Sequence, residues 1–117
     1  MFTDMVEATD ASRVDTYFDP AFRLHTNGAE QDLTAFRAGH ERVYATGIRY
    51  AVAYDDEAWV EAGDRLGGRL WITVTPPGRP PSRIEVVFVA LFRDGRILRL
   101  WELTSPDWSR LEAFGEY

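Results

Sequence analysis

The chain has 117 residues, an apolar content of 45% and a net charge of −6 at pH 7, which together indicate one folded domain spanning residues 1–117. The acidic balance argues against a nucleic-acid partner, and the absence of lysine and cysteine excludes Schiff-base catalysis, disulfides and cysteine–zinc sites. An acidic start and the lack of a long apolar run predict a soluble, cytoplasmic protein without membrane contact.

Two helical patterns open the chain. Phe2, Met5 and Val6 fall at helical spacing and predict a short first helix. Asp10 is a suitable N-cap for a second helix, which Pro20 should end because the residue before a proline avoids the helical conformation.

A brief strand and a third helix follow. "AFRLHTNG" alternates as a strand and closes at the turn former Asn27-Gly28. Asp32 caps the third helix, which ends at Gly47. Its apolar stripe consists of Leu33, Phe36, His40, Val43 and Tyr44.

Everything after Gly47 has the pattern of strands. "IRYAVAYDDEAWVE" turns at Gly63-Asp64 into "RLGGRLWITVT", and "RIEVVFVALF" turns at Asp94-Gly95 into "RILRLWELT". The two glycines of "RLGGR" are expected to relieve crowding where the sheet bends. Helices first and hairpin-linked strands afterwards predict an α+β domain with an antiparallel sheet.

The strand "IEVVFVALF" is apolar on both of its faces, whereas antiparallel sheets usually leave one face wet. The helices can cover only one face. Val87, Val89 and Leu91 would share the other face with Trp101 and Trp71, so we expect a homodimer through this outer side of the sheet.

Three segments carry a resemblance to a known family: "YFDPAFRLHTNG", "EAGDRLGGRLWITV" and, most specifically, "FRDGRILRLWEL". With them the chain resembles the nuclear transport factor 2-like superfamily, above all its SnoaL-like polyketide cyclase and ketosteroid isomerase branches. The resemblance implies three N-terminal helices packed on a curved, mostly antiparallel sheet that forms a cone with an internal pocket. Isomerases, dehydratases, epoxide hydrolases and binding proteins share this fold, so the fold alone does not define the function.

The resemblance also implies two catalytic positions. Glu102 falls where SnoaL-like cyclases place an acid/base aspartate, and His25 falls where steroid isomerases place the aspartate that shuttles protons. Phe2 and Phe88 fall where steroid isomerases have a tyrosine and a protonated aspartate. Since neither phenylalanine can donate a hydrogen bond to a substrate oxygen, that specific isomerase activity is rejected.

Both positions also have a structural interpretation. Glu102 is either an acid or base whose pKa an apolar wall raises, or a carboxylate paired with an arginine such as Arg23 or Arg49. His25 is either a proton-transfer group or a core histidine bonded to a backbone carbonyl. If both side chains reach one cavity within roughly 7 Å, the catalytic interpretation gains.

The residues expected to line the pocket follow from the same resemblance and from the alternation of side chains along a strand. Period two places Leu98, Leu100 and Thr104 beside Glu102, and the other expected lining residues are Tyr17, Phe22, Phe36, His40, Tyr44, Val86 and Phe88. His40 on a helical apolar stripe is more typical of a satisfied core residue. The two histidines show no ligand spacing, so neither a metal nor a cofactor is expected.

Two functions remain open. The first is acid–base catalysis (cyclisation, isomerisation, dehydration or hydrolysis) on a small apolar organic metabolite. The alternative is a non-catalytic module for small-molecule binding or dimerisation, which the missing oxyanion donors favour.

Overall fold

The structure, a computed structural model, describes residues 10–106. A 3-10 turn over Ala11–Arg13 leads into the one-turn helix α1 (Val14–Tyr17), and the longer helix α2 is Leu33–Tyr44. The strands are β1 (Phe18–Thr26), β2 (Ala29–Asp32), β3 (Arg49–Tyr54), β4 (Val60–Ala62), β5 (Arg65–Thr75), β6 (Ser82–Arg93) and β7 (Arg96–Ser105). No helix within residues 10–106 is long and apolar enough to cross a membrane.

The strands form one curved sheet in the order β2-β1-β7-β6-β5-β3, with β4 paired to β5. The pairs β1–β2, β3–β5, β4–β5, β5–β6 and β6–β7 are antiparallel, while β1 and β7 run parallel. We call the side that packs against α2 the inner face; it carries Val86, Phe88 and Ala90, which are all buried. The opposite, outer face carries Val87 and Val89. The expected α+β fold with a mostly antiparallel sheet is confirmed.

The expectation of three N-terminal helices is not supported, because residues 10–106 contain only α1 and α2. The first expected helix, residues 2–9, lies outside the described residues. The second ends early, since Phe18 is already extended at φ −119° and ψ 136°. Asp19 precedes Pro20 and so avoids the helical conformation; its carboxylate accepts a hydrogen bond from the Ala21 backbone N–H at 2.8 Å.

Helix α2 begins and ends as the sequence predicts. The Asp32 carboxylate accepts a hydrogen bond from the Ala35 N–H at 2.9 Å, which satisfies one of the free donors of the first turn. After the last helical residue the chain passes through Gly47 at φ +79°, a conformation that favours glycine. Phe36 of this helix packs on Phe18 and Phe22 of β1, with ring centroids 4.8 and 5.2 Å away.

The segment predicted as one strand from Ile48 to Glu61 is broken in its middle. Asp55 ends β3 and accepts a hydrogen bond from the Glu57 N–H at 3.1 Å, the local bond by which aspartate competes with a strand ladder. A 3-10 turn over Asp56–Ala58 follows, and Trp59 connects it to β4. This break determines where the Trp59 ring lies in the candidate site.

Candidate functional site

A cavity of about 290 Å³ opens on the inner face of the sheet. Its lining residues are Tyr17, Tyr54, Trp59, Leu66, Phe88, Ala90, Phe92, Gly95, Ile97 and Leu100. Five of the ten are aromatic, and the polar side-chain groups among them are two tyrosine hydroxyls and the indole N–H of Trp59. The cavity wall is therefore mainly apolar, and three of its side chains carry a hydrogen-bonding group.

Three of the residues expected to line a pocket do so: Tyr17, Phe88 and Leu100. Phe22, Phe36 and Val86 are instead buried in the hydrophobic core. Trp59 was not among the expected lining residues, since its position depends on the turn at Asp55. Ala90 and Phe92 lie two and four residues after Phe88 in β6, so the alternation of the strand could have predicted both as lining residues.

A β-bulge in β7 explains why Ile97, rather than Leu98, lines the cavity. Leu91 pairs with Arg99 but Phe92 pairs with Ile97, so Leu98 is an extra residue in β7. The expectation that Leu98 lies beside Glu102 assumed unbroken alternation and is corrected here, because the bulge shifts the alternation by one residue. Leu100, which lies beyond the bulge, keeps its expected face.

Glu102 lies beside the cavity, although it is not one of its lining residues. It pairs with Phe88 across β6 and β7, and directly opposed residues project from the same face of a sheet. The Thr26 hydroxyl donates a hydrogen bond to Glu102 Oε1 at 3.0 Å. Burial raises the pKa of the Glu102 carboxyl, and this hydrogen bond partly opposes the increase.

An arginine partner for Glu102 is not found among residues 10–106. Arg23, one expected partner, pairs with Glu30 at 3.0 Å on the other face of β1. The structural interpretation of Glu102 as an arginine-bound carboxylate therefore has no support in this part of the chain. Its hydrogen bond comes from a neutral hydroxyl, which leaves its charge uncompensated when it ionises.

The turn after β1 holds this end of the site together. The Asn27 amide donates to Thr104 Oγ1 at 2.7 Å and accepts from the Thr104 N–H at 3.0 Å. The Asn27 backbone N–H donates to the Glu102 carbonyl at 3.2 Å. Thr104, which was expected to line the pocket, thus contacts the turn instead. Together these hydrogen bonds fix β7 beside the turn at Glu102 and Thr104.

His25 does not share a pocket with Glu102. It pairs with Trp101 in the parallel β1–β7 ladder, while its neighbour Thr26 pairs with Glu102. Its ring stacks on Trp101 with centroids 6.0 Å apart and planes 13° apart, and its Nδ1 lies 3.9 Å from Glu30. The expectation that the His25 imidazole and the Glu102 carboxylate face one pocket is wrong. His25 is adjacent to Thr26 in β1, and adjacent strand residues point to opposite faces of the sheet.

His40 and Tyr44 continue the aromatic row of α2 beyond Phe36. His40 Nδ1 lies 2.8 Å from the Phe36 carbonyl and so donates to it. Burial lowers the pKa of His40, which favours the neutral ring. The Tyr44 hydroxyl is buried without a hydrogen-bond partner among the described residues, and burial raises its pKa. His40 is therefore a hydrogen-bonded core residue. Neither His40 nor Tyr44 lines the cavity described above.

Comparison with known proteins reveals a shared fold. Neither a protein-family model nor a curated protein sequence matches the chain. IdmH from Streptomyces antibioticus is 18% identical, with a TM-score of 0.70 over 97% of this chain and 93% of its own. A SnoaL-like polyketide cyclase from Agrobacterium tumefaciens is 19% identical, with a TM-score of 0.63 over 88% of this chain and 84% of its own.

A third similar structure is an LEH-like epoxide hydrolase from M. tuberculosis, 14% identical, with a TM-score of 0.73 over 88% of this chain and 76% of its own. At sequence identities this low, the similarity of these structures establishes a shared fold. The chain shares its fold with a SnoaL-like polyketide cyclase and with this hydrolase, so the likeness in fold that its sequence suggested is confirmed.

Proposed function

We propose that the chain binds a small, mainly apolar organic molecule in the inner cavity, and that Glu102 acts on it as an acid or base. The observation that carries this proposal is the apolar cavity of about 290 Å³ beside a carboxyl whose pKa burial raises. A cavity of this size is at the small end of ligand pockets, and an apolar wall with few polar groups is typical of them.

The chemistry follows from the state of Glu102. A carboxyl with a raised pKa holds its proton closer to neutral pH and can donate it, and the carboxylate can then accept a proton. Cyclisation, isomerisation, dehydration and hydrolysis can all use such a group without a cofactor. Cyclase and epoxide hydrolase names among the similar structures support this range.

One observation favours a second candidate function, a non-catalytic binding module. His25 stacks on Trp101 at the outer face, so the hydrogen bond to the Glu102 carboxylate from residues 10–106 comes from Thr26 alone. A proton-transfer partner would then have to be the bound molecule or water. A pocket that only binds would need no such partner.

The outer face supports the expected second copy of the chain as a partner. Val87, Val89 and Leu103 are 47%, 44% and 66% exposed there, and Trp101 is 38% exposed. Large apolar side chains grouped on one face of a sheet are typical of interfaces. We also propose the cytoplasm as the compartment of the protein, since a chain without cysteine needs no oxidising environment to fold.

Binding can be tested with the purified chain. We expect solvent extraction and mass spectrometry to recover an apolar molecule, or calorimetry to detect binding of 1-naphthol as a probe. Ala90→Leu tests the location of the site, because it adds bulk to the cavity wall and should weaken binding by about tenfold or more. A chain that carries no molecule and binds no probe, or an Ala90→Leu variant that binds equally well, would contradict the proposal.

Catalysis is tested separately with Glu102→Gln. On a substrate found by this route, turnover should fall by about two to four orders of magnitude while binding persists. Unchanged turnover would remove Glu102 from the chemistry. Binding without turnover in the unmodified chain would favour the second candidate.

A further inference from the structure

We propose that Trp59, lying on Gly68, is the specificity-determining residue of the cavity and limits the size of the molecule that fits. The inference rests on the proposed function, because it concerns the shape of the same cavity. The indole is one rigid wall of that cavity, and its position depends on the absence of a side chain at residue 68.

The Trp59 ring contacts two other lining residues. Its centroid lies 5.5 Å from that of Phe88 at an interplanar angle of 72°, and 5.5 Å from that of Tyr54 at 90°. Edge-to-face contacts of this kind stabilise a defined ring orientation. Phe88 is also the residue paired with Glu102, so the indole is separated from the candidate acid by one side chain.

Gly68 provides the space for the ring. A Cβ built at Gly68 would lie 2.4 Å from Cε3 and 2.7 Å from Cζ3 of Trp59, distances that non-bonded carbon atoms do not tolerate. At the neighbouring Gly67 the nearest atom would be the Val60 Cγ1 at 3.4 Å, which is an ordinary contact. The two glycines therefore differ, and Gly68 accommodates a neighbouring side chain rather than merely relieving a bend.

Bonds on both sides of Trp59 hold it in place. Before it, the Asp55 N–H donates to the Arg69 carbonyl at 3.0 Å, and the Asp55 carboxylate pairs with the Arg69 guanidinium at 2.8 Å. After it, Val60 pairs with Gly67. Because both attachments are to β5, the indole is a fixed wall rather than a mobile lid, and a fixed wall selects ligands by size.

The experiment compares two neutral probes of different size, 1-naphthol with two fused rings and 9-anthracenemethanol with three. Calorimetry measures both dissociation constants for each variant, and their ratio is the readout. Trp59→Leu should shift the ratio by about tenfold towards the larger probe, because part of the wall is removed. Trp59→Phe should give a smaller shift in the same direction.

The two glycines supply a matched pair. Gly68→Ala should change the ratio by about fivefold or more, since the ring must move, whereas Gly67→Ala should leave it within about twofold. In a Trp59→Leu background Gly68→Ala should have little further effect, which a double-mutant cycle detects as coupling. If Gly68→Ala does not fold, the two Trp59 variants still decide the question.

Three results overturn all or part of the inference in distinguishable ways. Binding of both probes with an unchanged ratio in Trp59→Leu overturns the specificity role and leaves the proposed function intact. Failure of the unmodified chain and of every variant to bind either probe overturns both. Equal effects of Gly67→Ala and Gly68→Ala overturn the role of Gly68.

Discussion

Glu102 illustrates how one side chain combines opposing effects. Burial disfavours its charge, while the hydrogen bond from Thr26 favours it, and burial dominates. Its folded-state pKa is therefore above the unfolded value of about 4.5. Below that pH the Glu102 carboxyl is protonated in both the folded and the unfolded state, so it does not change the free energy of unfolding. As pH rises through the folded-state pKa, the folded state must lose a proton it holds tightly, so stability falls.

Glu102→Gln should consequently raise the melting temperature at neutral pH, because it removes the ionisation of a buried group. Each 1 kcal/mol of destabilisation that is removed should raise the melting temperature by about 4 °C in a domain of this size. Thermal melts across a pH series should show this difference shrinking towards zero as the pH falls below about 4.5. A Gln variant less stable than the unmodified chain at neutral pH would contradict the assignment of burial as the larger effect.

Thr26→Val tests the opposing effect. Losing the hydroxyl removes the bond that stabilises the carboxylate, so the pKa of Glu102 should rise further. Carbon-13 NMR of the carboxyl group measures it directly. Thr73→Val on β5 is the matched control and should leave the titration of Glu102 unchanged; a shift equal to that of Thr26→Val would sink this assignment.

At the scale of elements, an ion pair ties the irregular start of β1 to the end of β6. Arg93 donates to both Asp19 carboxylate oxygens, at 3.1 and 2.8 Å. Asp19 lies where the β1–β7 pairing shifts register between Phe18 and Arg23. The hydrogen bonds from Arg93 and from the Ala21 N–H lower the pKa of Asp19. The ion pair therefore connects β1 to β6 at the point where the β1–β7 ladder is interrupted.

Asp19→Asn should therefore lower the melting temperature at neutral pH, with a pH dependence opposite to that of Glu102→Gln. A lowered pKa means that the stabilisation is complete above the unfolded value of 3.8 and is lost as pH falls through the folded-state pKa. Melts of Asp19→Asn and the unmodified chain should converge in acid. Asp64→Asn, at the exposed turn between β4 and β5, is the control and should change little. Equal stability of Asp19→Asn at neutral pH would count against the pair.

For the whole molecule, the outer face is the surface where a second copy is expected. Val89 pairs with Trp101 across β6 and β7, and Val87 pairs with Leu103. These two opposed pairs form a continuous exposed apolar surface. Arg69 and Arg83 stack on Trp71 of the same face at 4.7 and 4.8 Å, and tryptophan with arginine is a frequent combination at interface centres.

Val89→Arg should accordingly convert a dimer into a monomer. Light scattering at micromolar concentration should give twice the chain mass of 13.4 kDa for the unmodified protein and a single chain mass for the variant. Ala45→Arg, at an exposed position after α2, introduces the same charge elsewhere and should remain dimeric. A monomeric mass for the unmodified chain would refute the dimer.

Local sequence signals were sufficient for the fold class, helix α2 and the hairpin turns. Asp32 as a cap and the turns at Gly63-Asp64 and Asp94-Gly95 act through bonds and dihedral angles within a few residues, so they can be recognised in the sequence. The buried face of β6 also followed from its alternation. These features depend on neighbours in the chain, and alternation is reliable within an unbroken strand.

Only the tertiary structure decided which residues meet across strands. The parallel β1–β7 register placed Thr26, not His25, beside Glu102. The bulge at Leu98 brought Ile97 to the cavity, and the turn at Asp55 allowed Trp59 to lie on Gly68. Register and bulges are set by the combined packing and hydrogen bonding of distant segments, and a one-residue shift reverses the face of every side chain that follows.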